Sequence, residues 1–104
     1  NDTVMKSHLA RHLLRPLLEK PELLHTLEVF LDAGLSAGIA ARRLYMHRHG
    51  LTYRLKKIHE LTGLDPTSFR DASQLDAALQ WYSVTIAGRQ LFHSSVKSRT
   101  ATPA

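Results

Sequence analysis

The spacing of its apolar residues is the feature that most restricts what this chain can fold into. Apolar side chains recur at intervals of three and four residues, and the few glycines and prolines fall at the boundaries of these segments. Such intervals place side chains on one face of an α-helix, whereas a half-buried strand would show strict alternation. The sequence therefore predicts an all-α fold, a bundle of about five helices.

Residues that start and stop helices set the expected limits of the first two. The first should begin at Thr3, acting as N-cap, with Pro16 limiting how regularly it continues. The second should begin at Pro21, whose missing N–H costs nothing in a first turn, and end at Gly34, a left-handed C-cap.

The residue pattern in the last third of the chain predicts one more helix, followed by a tail. The helix should begin between Phe69 and Ser73 and continue to about Ala87. It carries two apolar strips, of which one suffices for the core and the other meets either a second subunit or the first helix. Residues 92–104 lack the apolar groups that offset chain entropy, so we expect a domain over 1–91 and a flexible tail.

The residue pattern in the middle of the chain predicts a short helix, a three-residue turn and a longer helix. The short helix is capped by Ser36 and runs to about Leu44, and the long one spans about 48–62 before Gly63. This arrangement, over about 36–62, is a helix-turn-helix, whose second helix enters the DNA major groove. Residues of the short helix able to face inward are Ile39, Ala40 and Leu44. The inward stripe of the long helix is Leu51, Leu55, Ile58 and Leu61.

The charge of the chain favours an anionic partner. The formal net charge is +5 and the isoelectric point is about 10.0, which does not distinguish nucleic acid from a membrane surface or an acidic protein. No acidic residue lies between Asp32 and Glu60, and a charge run of this kind is usually a solvated helical face. Its coincidence with the helix-turn-helix favours DNA. Six of the 14 basic residues lie in this stretch: Arg42, Arg43, Arg48, Arg54, Lys56 and Lys57.

Positions on the two helices predict the role of each residue. The leading end of the long helix is expected to touch base edges, through Arg48, His49 and Thr52. His47 is expected to cap or support the turn. Phosphate contacts are expected from Ser36, which also caps its helix, and from Arg42, Arg43, Tyr53, Arg54, Lys56 and Lys57.

Two stretches of letters resemble one protein family. His47–Gly63 is H-R-H-G-L-T-Y-R-L-K-K-I-H-E-L-T-G, and Thr26–Leu31 is T-L-E-V-F-L. Together they resemble the C-terminal helix-turn-helix of the PucR family, which includes regulators of purine catabolism and sugar-diacid use. The resemblance covers roughly Leu17–Tyr82. The helix pair is more distantly similar to that of the nucleoid protein Fis, so we expect a Fis-like helix-turn-helix.

The resemblance implies a bacterial transcription regulator that binds an inverted repeat in double-stranded DNA as a homodimer or larger oligomer. It also implies that any effector binds an upstream domain absent from this chain, in keeping with a first residue, Asn1, that is not Met. Two departures fall at contact positions, where His49 and Gly50 replace the Asn-Thr pair typical of the family. We expect altered specificity rather than lost binding.

Other functions have weaker support in the sequence. The chain contains no cysteine, and neither a signal segment nor an apolar run of membrane-spanning length, so we expect a soluble, cytoplasmic protein without a membrane role. His8 and His12 lie four apart without a third ligand, so we expect no metal and no other cofactor. No catalytic constellation is visible, so we expect no enzyme. The main alternative is a dimerisation or interaction module whose helix-turn-helix is degenerate and binds DNA weakly or not at all.

Overall fold

Five α-helices and no strand make up the part of the chain that the computed structural model describes, which is residues 2–82, with side chains from residue 9 onward. The helices are α1 (Asp2–Leu18), α2 (Pro21–Asp32), α3 (Ala37–Arg43), α4 (Arg48–Thr62) and α5, which begins at residue 69 and continues to 82. The predicted all-α class is confirmed. The predicted end of the last helix at Ala87 and the tail over 92–104 lie outside the described residues.

Helix α1 differs from its prediction at its start. It begins at Asp2, so Thr3 lies within the helix and is not its N-cap, and it continues through Pro16 to Leu18. A proline inside a helix removes one backbone hydrogen bond. Leu14 and Leu17 are fully buried on either side of it, and their burial offsets that loss.

Helix α2 ends as predicted, in a left-handed glycine. Gly34 has a φ of 68° and its N–H donates to the carbonyl of Leu31, while the N–H of Leu35 donates to the carbonyl of Phe30, both at 3.1 Å. These two bonds are those of a Schellman motif, which satisfies carbonyls that the end of a helix leaves free. The chain thereby turns sharply from α2 into α3.

The core forms around α4, which contacts α1, α2 and α3. Leu51 and Ile58 are fully buried and Leu55 is nearly so. The helices around α4 contribute the largest fully buried side chains of the core, among them Leu14, Leu17, Leu27, Phe30 and Leu75.

Two residues predicted to face inward are partly exposed instead. Ile39 and Leu61 each expose 37% of their surface. In α3 the buried pair is instead Ala40 and Ala41. Leu61 belongs to the last turn of α4, beyond the buried stripe.

The loop between α4 and α5 is organised by one carboxylate. Oδ1 of Asp65 accepts hydrogen bonds from the backbone N–H of Thr67 at 2.9 Å and from its hydroxyl at 2.7 Å. The hydrogen bond from the Thr67 hydroxyl, followed by that from the Thr67 backbone N–H, holds the pKa of Asp65 below its ordinary value. Slight burial acts in the opposite direction and raises this pKa, while the nearby His59 lowers it by a smaller amount. The backbone N–H of Asp65 in turn donates to Asp71 of α5.

We expect Asp65→Asn to lower the free energy of unfolding by up to about 1 kcal/mol near neutral pH, since the pair is partly solvated. Because the folded state lowers this pKa, the contribution is present at neutral pH and is lost as pH falls through the folded-state pKa. Urea unfolding of both proteins along a pH series measures this. Glu19→Gln, at an exposed carboxylate, is the control and should cost less. A difference that persists unchanged in strong acid would contradict the assignment.

None of the helices described over residues 2–82 is long and apolar enough to cross a membrane.

Candidate nucleic-acid interface

The turn between α3 and α4 fixes the relation of the two helices. The N–H of Tyr45 donates to the carbonyl of Arg42 at 3.1 Å, and the N–H of Met46 donates to the carbonyl of Ala41 at 3.0 Å. This is a second Schellman motif, with Tyr45 in the left-handed position at a φ of 54°. The chain leaves α3 and enters α4 within four residues.

Side chains cap both helices, in agreement with the predicted capping roles. The Ser36 hydroxyl accepts from the backbone N–H of Ile39 at 3.2 Å. Nδ1 of His47 accepts from the backbone N–H of His49 at 3.1 Å, which requires Nδ1 to carry no proton. The two imidazole rings lie 4.8 Å apart between centroids. The first turn of α4 is therefore held by a histidine cap.

The predicted base-contact residues share the exposed leading end of α4. All three are exposed: Arg48, His49 and Thr52. The Thr52 hydroxyl donates to the carbonyl of Arg48 at 3.0 Å, so towards a ligand it offers a lone pair and a methyl group. Arg48 offers its planar guanidinium, whose geometry suits the two acceptors of guanine.

Gly50 occupies the remaining position of this first turn. A Cβ built there would lie 3.1 Å from Cε of Met46, so the missing side chain gives the methionine room beneath the turn. A threonine, the residue typical of the family, would require the methionine methyl to shift. The structure thus gives Gly50 a packing role within the turn.

Most of the predicted phosphate-contact residues lie on the surface around α3 and α4. Two have carboxylate neighbours: Arg43 lies 2.9 Å from Asp32, and Lys57 lies 3.7 Å from Glu60 and 6.0 Å from the centre of the Tyr53 ring. Exposed pairs of this kind contribute only about 0–1 kcal/mol, so a stronger anion can displace them. Arg42 and Lys56 are also exposed.

Arg54 is the predicted phosphate-contact residue that the structure directs elsewhere. It is half-buried, and its guanidinium donates to the Thr26 hydroxyl at 3.0 Å. Thr26 is fully buried and itself donates to the carbonyl of Glu22 at 2.7 Å. Arg54 thus joins α4 to α2. The spacing along α4 gave no sign of this, because Arg54 lies on the flank between the buried and exposed faces.

We expect Thr26→Val and Arg54→Met each to lower the free energy of unfolding by about 1–2 kcal/mol, because each removes the charge-assisted hydrogen bond between the two side chains. The double variant should lose less stability than the sum of the losses in the two single variants, and the difference, the coupling free energy, should be about 1 kcal/mol. Urea unfolding measures the cycle. Thr62→Val, whose hydroxyl bonds within its own helix end, is the control and should be additive with Arg54→Met. If the losses in free energy of unfolding caused by Thr26→Val and Arg54→Met were simply additive, the bond between the two side chains would be disproved.

Within residues 9–82, no group of three or more His, Asp or Glu side chains is placed to hold a metal ion.

This geometry defines a class: α3, the turn and α4 form a helix-turn-helix domain. The chain belongs to the family of PucR C-terminal helix-turn-helix domains, whose model matches residues 23–81. It is a family of transcription-regulator domains and not of enzymes.

Two similar proteins bear the names of regulators. The chain is 43% identical over 54 residues to the proline-responsive transcriptional activator PutR of Bacillus subtilis, covering 52% of this chain and 13% of that protein. It is 47% identical over 45 residues to the purine catabolism regulatory protein of Bacillus subtilis, covering 43% and 8%. An uncharacterised protein of Mycobacterium tuberculosis is 44% identical over 66 residues, 62% of this chain and 16% of that protein. The matched region is thus a small part of each relative.

A solved structure has the same fold. The crystal structure of a regulator of polyketide synthase expression from Bifidobacterium adolescentis matches with a TM-score of 0.60 and 36% sequence identity. The match covers 61% of this chain and 26% of that chain.

Proposed function

We propose that this domain binds double-stranded DNA sequence-specifically, with α4 in the major groove, as the DNA-reading part of a bacterial transcription regulator. The observation that carries the proposal is the division of α4 into two faces. Leu51, Leu55 and Ile58 are buried, while the opposite face is exposed, polar and basic. The major groove, about 12 Å wide, admits one such helix.

Base reading is assigned to the leading end of α4. Arg48 is suited to two hydrogen bonds with guanine, a pairing that discriminates by roughly 1–3 kcal/mol. His49 donates to a base acceptor. Thr52, whose hydroxyl proton is engaged within the helix, accepts from a base amino group or places its methyl against thymine.

Phosphate binding is assigned to the surrounding surface. Arg42, Lys56 and Lys57 contribute charge, and the Ser36 hydroxyl keeps its proton free to donate because its oxygen serves as the cap. Tyr53, 62% exposed, can donate through its hydroxyl. The remaining two residues are weaker candidates: Arg43 must first leave Asp32, and Arg54 must release a bond to a buried threonine.

We further propose that two copies bind an inverted repeat as a homodimer, with their α4 helices about 34 Å apart, one turn of DNA. A regulator of this kind acts on chromosomal DNA, so the proposed location is the cytoplasm, at the nucleoid.

The alternative function is an interaction module that binds DNA weakly or not at all. A groove of about 430 Å³ between α1 and α5 favours it, because its lining is largely apolar, including Leu9, Leu13, Ala77 and Trp81. Leu9 exposes 61% of its surface there. Selection of bound sites from random duplex DNA distinguishes the two functions. An enriched palindrome supports the sequence-specific DNA-binding domain, and no enrichment supports the interaction module.

We expect binding to weaken steeply with salt, because cations on the protein displace counterions from the phosphates. With Arg42, Lys56 and Lys57 on phosphates, the slope of log binding constant against log salt concentration should be about −3 for each bound domain. Titrations at several salt concentrations, followed by fluorescence anisotropy, measure it. A flat response would contradict a phosphate-based interface.

We expect Arg48→Ala and Lys56→Ala to have different effects. Loss of Arg48 should relax preference at one base pair, by about 1–3 kcal/mol, while Lys56→Ala should weaken all sequences alike and make the salt slope shallower by about 1. Competition between the selected site and its single-base variants measures the base preference. Titrations at several salt concentrations measure the overall affinity and the salt slope. Asp76→Asn, on α5, is a control expected to alter neither. The reverse pattern would overturn the assignment of roles.

A further inference from the structure

Tyr45 has a conformation and exposure that the packing of the domain does not explain. Its φ of 54° lies in the left-handed region, which costs an L-residue energy that glycine avoids. The same position of the Schellman motif that ends α2 is a glycine, Gly34. The side chain of Tyr45 is 96% exposed, so it stabilises nothing by burial. Its hydroxyl has no hydrogen-bond partner within residues 9–82.

The position of Tyr45 relates it to the DNA surface. It follows the basic last turn of α3, with Arg42 and Arg43, and precedes Arg48 by three residues. Three residues span at most about 11 Å, so the Tyr45 backbone lies close to the leading end of α4. With the leading end of α4 in a groove about 12 Å wide, the turn before it would lie beside the phosphates that border the groove.

We propose that Tyr45 is an additional DNA-contact residue, whose phenol hydroxyl donates a hydrogen bond to a backbone phosphate at the edge of the groove that α4 enters. This rests on the proposed DNA binding of the domain. A free hydroxyl on an exposed ring is a suitable donor to a phosphate oxygen, and such contacts fix the register of a protein on the duplex without reading sequence. The strained backbone is then retained for the side chain that it presents.

The effect of salt distinguishes the proposed Tyr45 contact from the phosphate contacts made by Lys and Arg. Tyr45 carries no charge, so its bond to a phosphate releases no counterion. Its loss should therefore weaken binding while leaving the salt slope unchanged, whereas loss of Lys56 reduces both. Because no base is read, the selected site and a random duplex should lose affinity by the same factor.

The test compares Tyr45→Phe, Tyr45→Gly and Lys56→Ala in the full 104-residue chain. Tyr82→Phe, which removes a hydroxyl from α5, is the matched control and should bind as the unaltered chain does. Tyr45→Phe should weaken binding to both duplexes by about fivefold, as expected for one hydrogen bond, with an unchanged salt slope. Tyr45→Gly should bind at least as weakly while raising the midpoint of thermal unfolding, because it relieves the backbone.

Each contrary result is distinct. Unchanged affinity in Tyr45→Phe, with Lys56→Ala weakened, overturns the role of Tyr45 and leaves the DNA-binding proposal standing. A lower unfolding midpoint in Tyr45→Gly would show that the ring is engaged in the free domain, and would also overturn it. If the unaltered chain binds neither duplex, the proposed function fails and this inference fails with it.

Discussion

The burial of one face of α4 is the constraint on which the rest of the structure depends. Leu51, Leu55 and Ile58 lie against α1, α2 and α3 together, and fully burying a side chain of this kind contributes roughly 1.5–3 kcal/mol. A rotation of α4 that exposed this stripe would lose several such contributions. The orientation of the polar face towards solvent is therefore a consequence of core packing, fixed before any ligand is met.

Polar bonds then set the position of α4 more finely than apolar packing does. The bond from Arg54 to the buried Thr26 ties the flank of the helix to α2, and the His47 cap holds its first turn. Gly50 leaves space for Met46 beneath that turn. Together these contacts present the leading end of α4 in one arrangement, which limits the entropy that the proposed DNA binding would cost.

Sequence reasoning anticipated much of the site because helix periodicity and capping are local properties. The limits of α4, the Ser36 and His47 caps and the exposed residues at its leading end all follow from spacing within a few residues. It failed where the answer depended on a neighbouring helix. Ile39 and Leu61 have the spacing of buried residues but lie where no other helix covers them fully.

By itself, the sequence determined the helical class, the helix-turn-helix and the basic character of its outer surface, since these depend on the order and type of residues along the chain. The tertiary structure alone decided that Arg54 turns towards Thr26 and that Tyr45 stands free in a strained turn. The physical reason is that a hydrogen bond between residues 28 apart, and the exposure of a ring, depend on how helices pack, which no local pattern encodes.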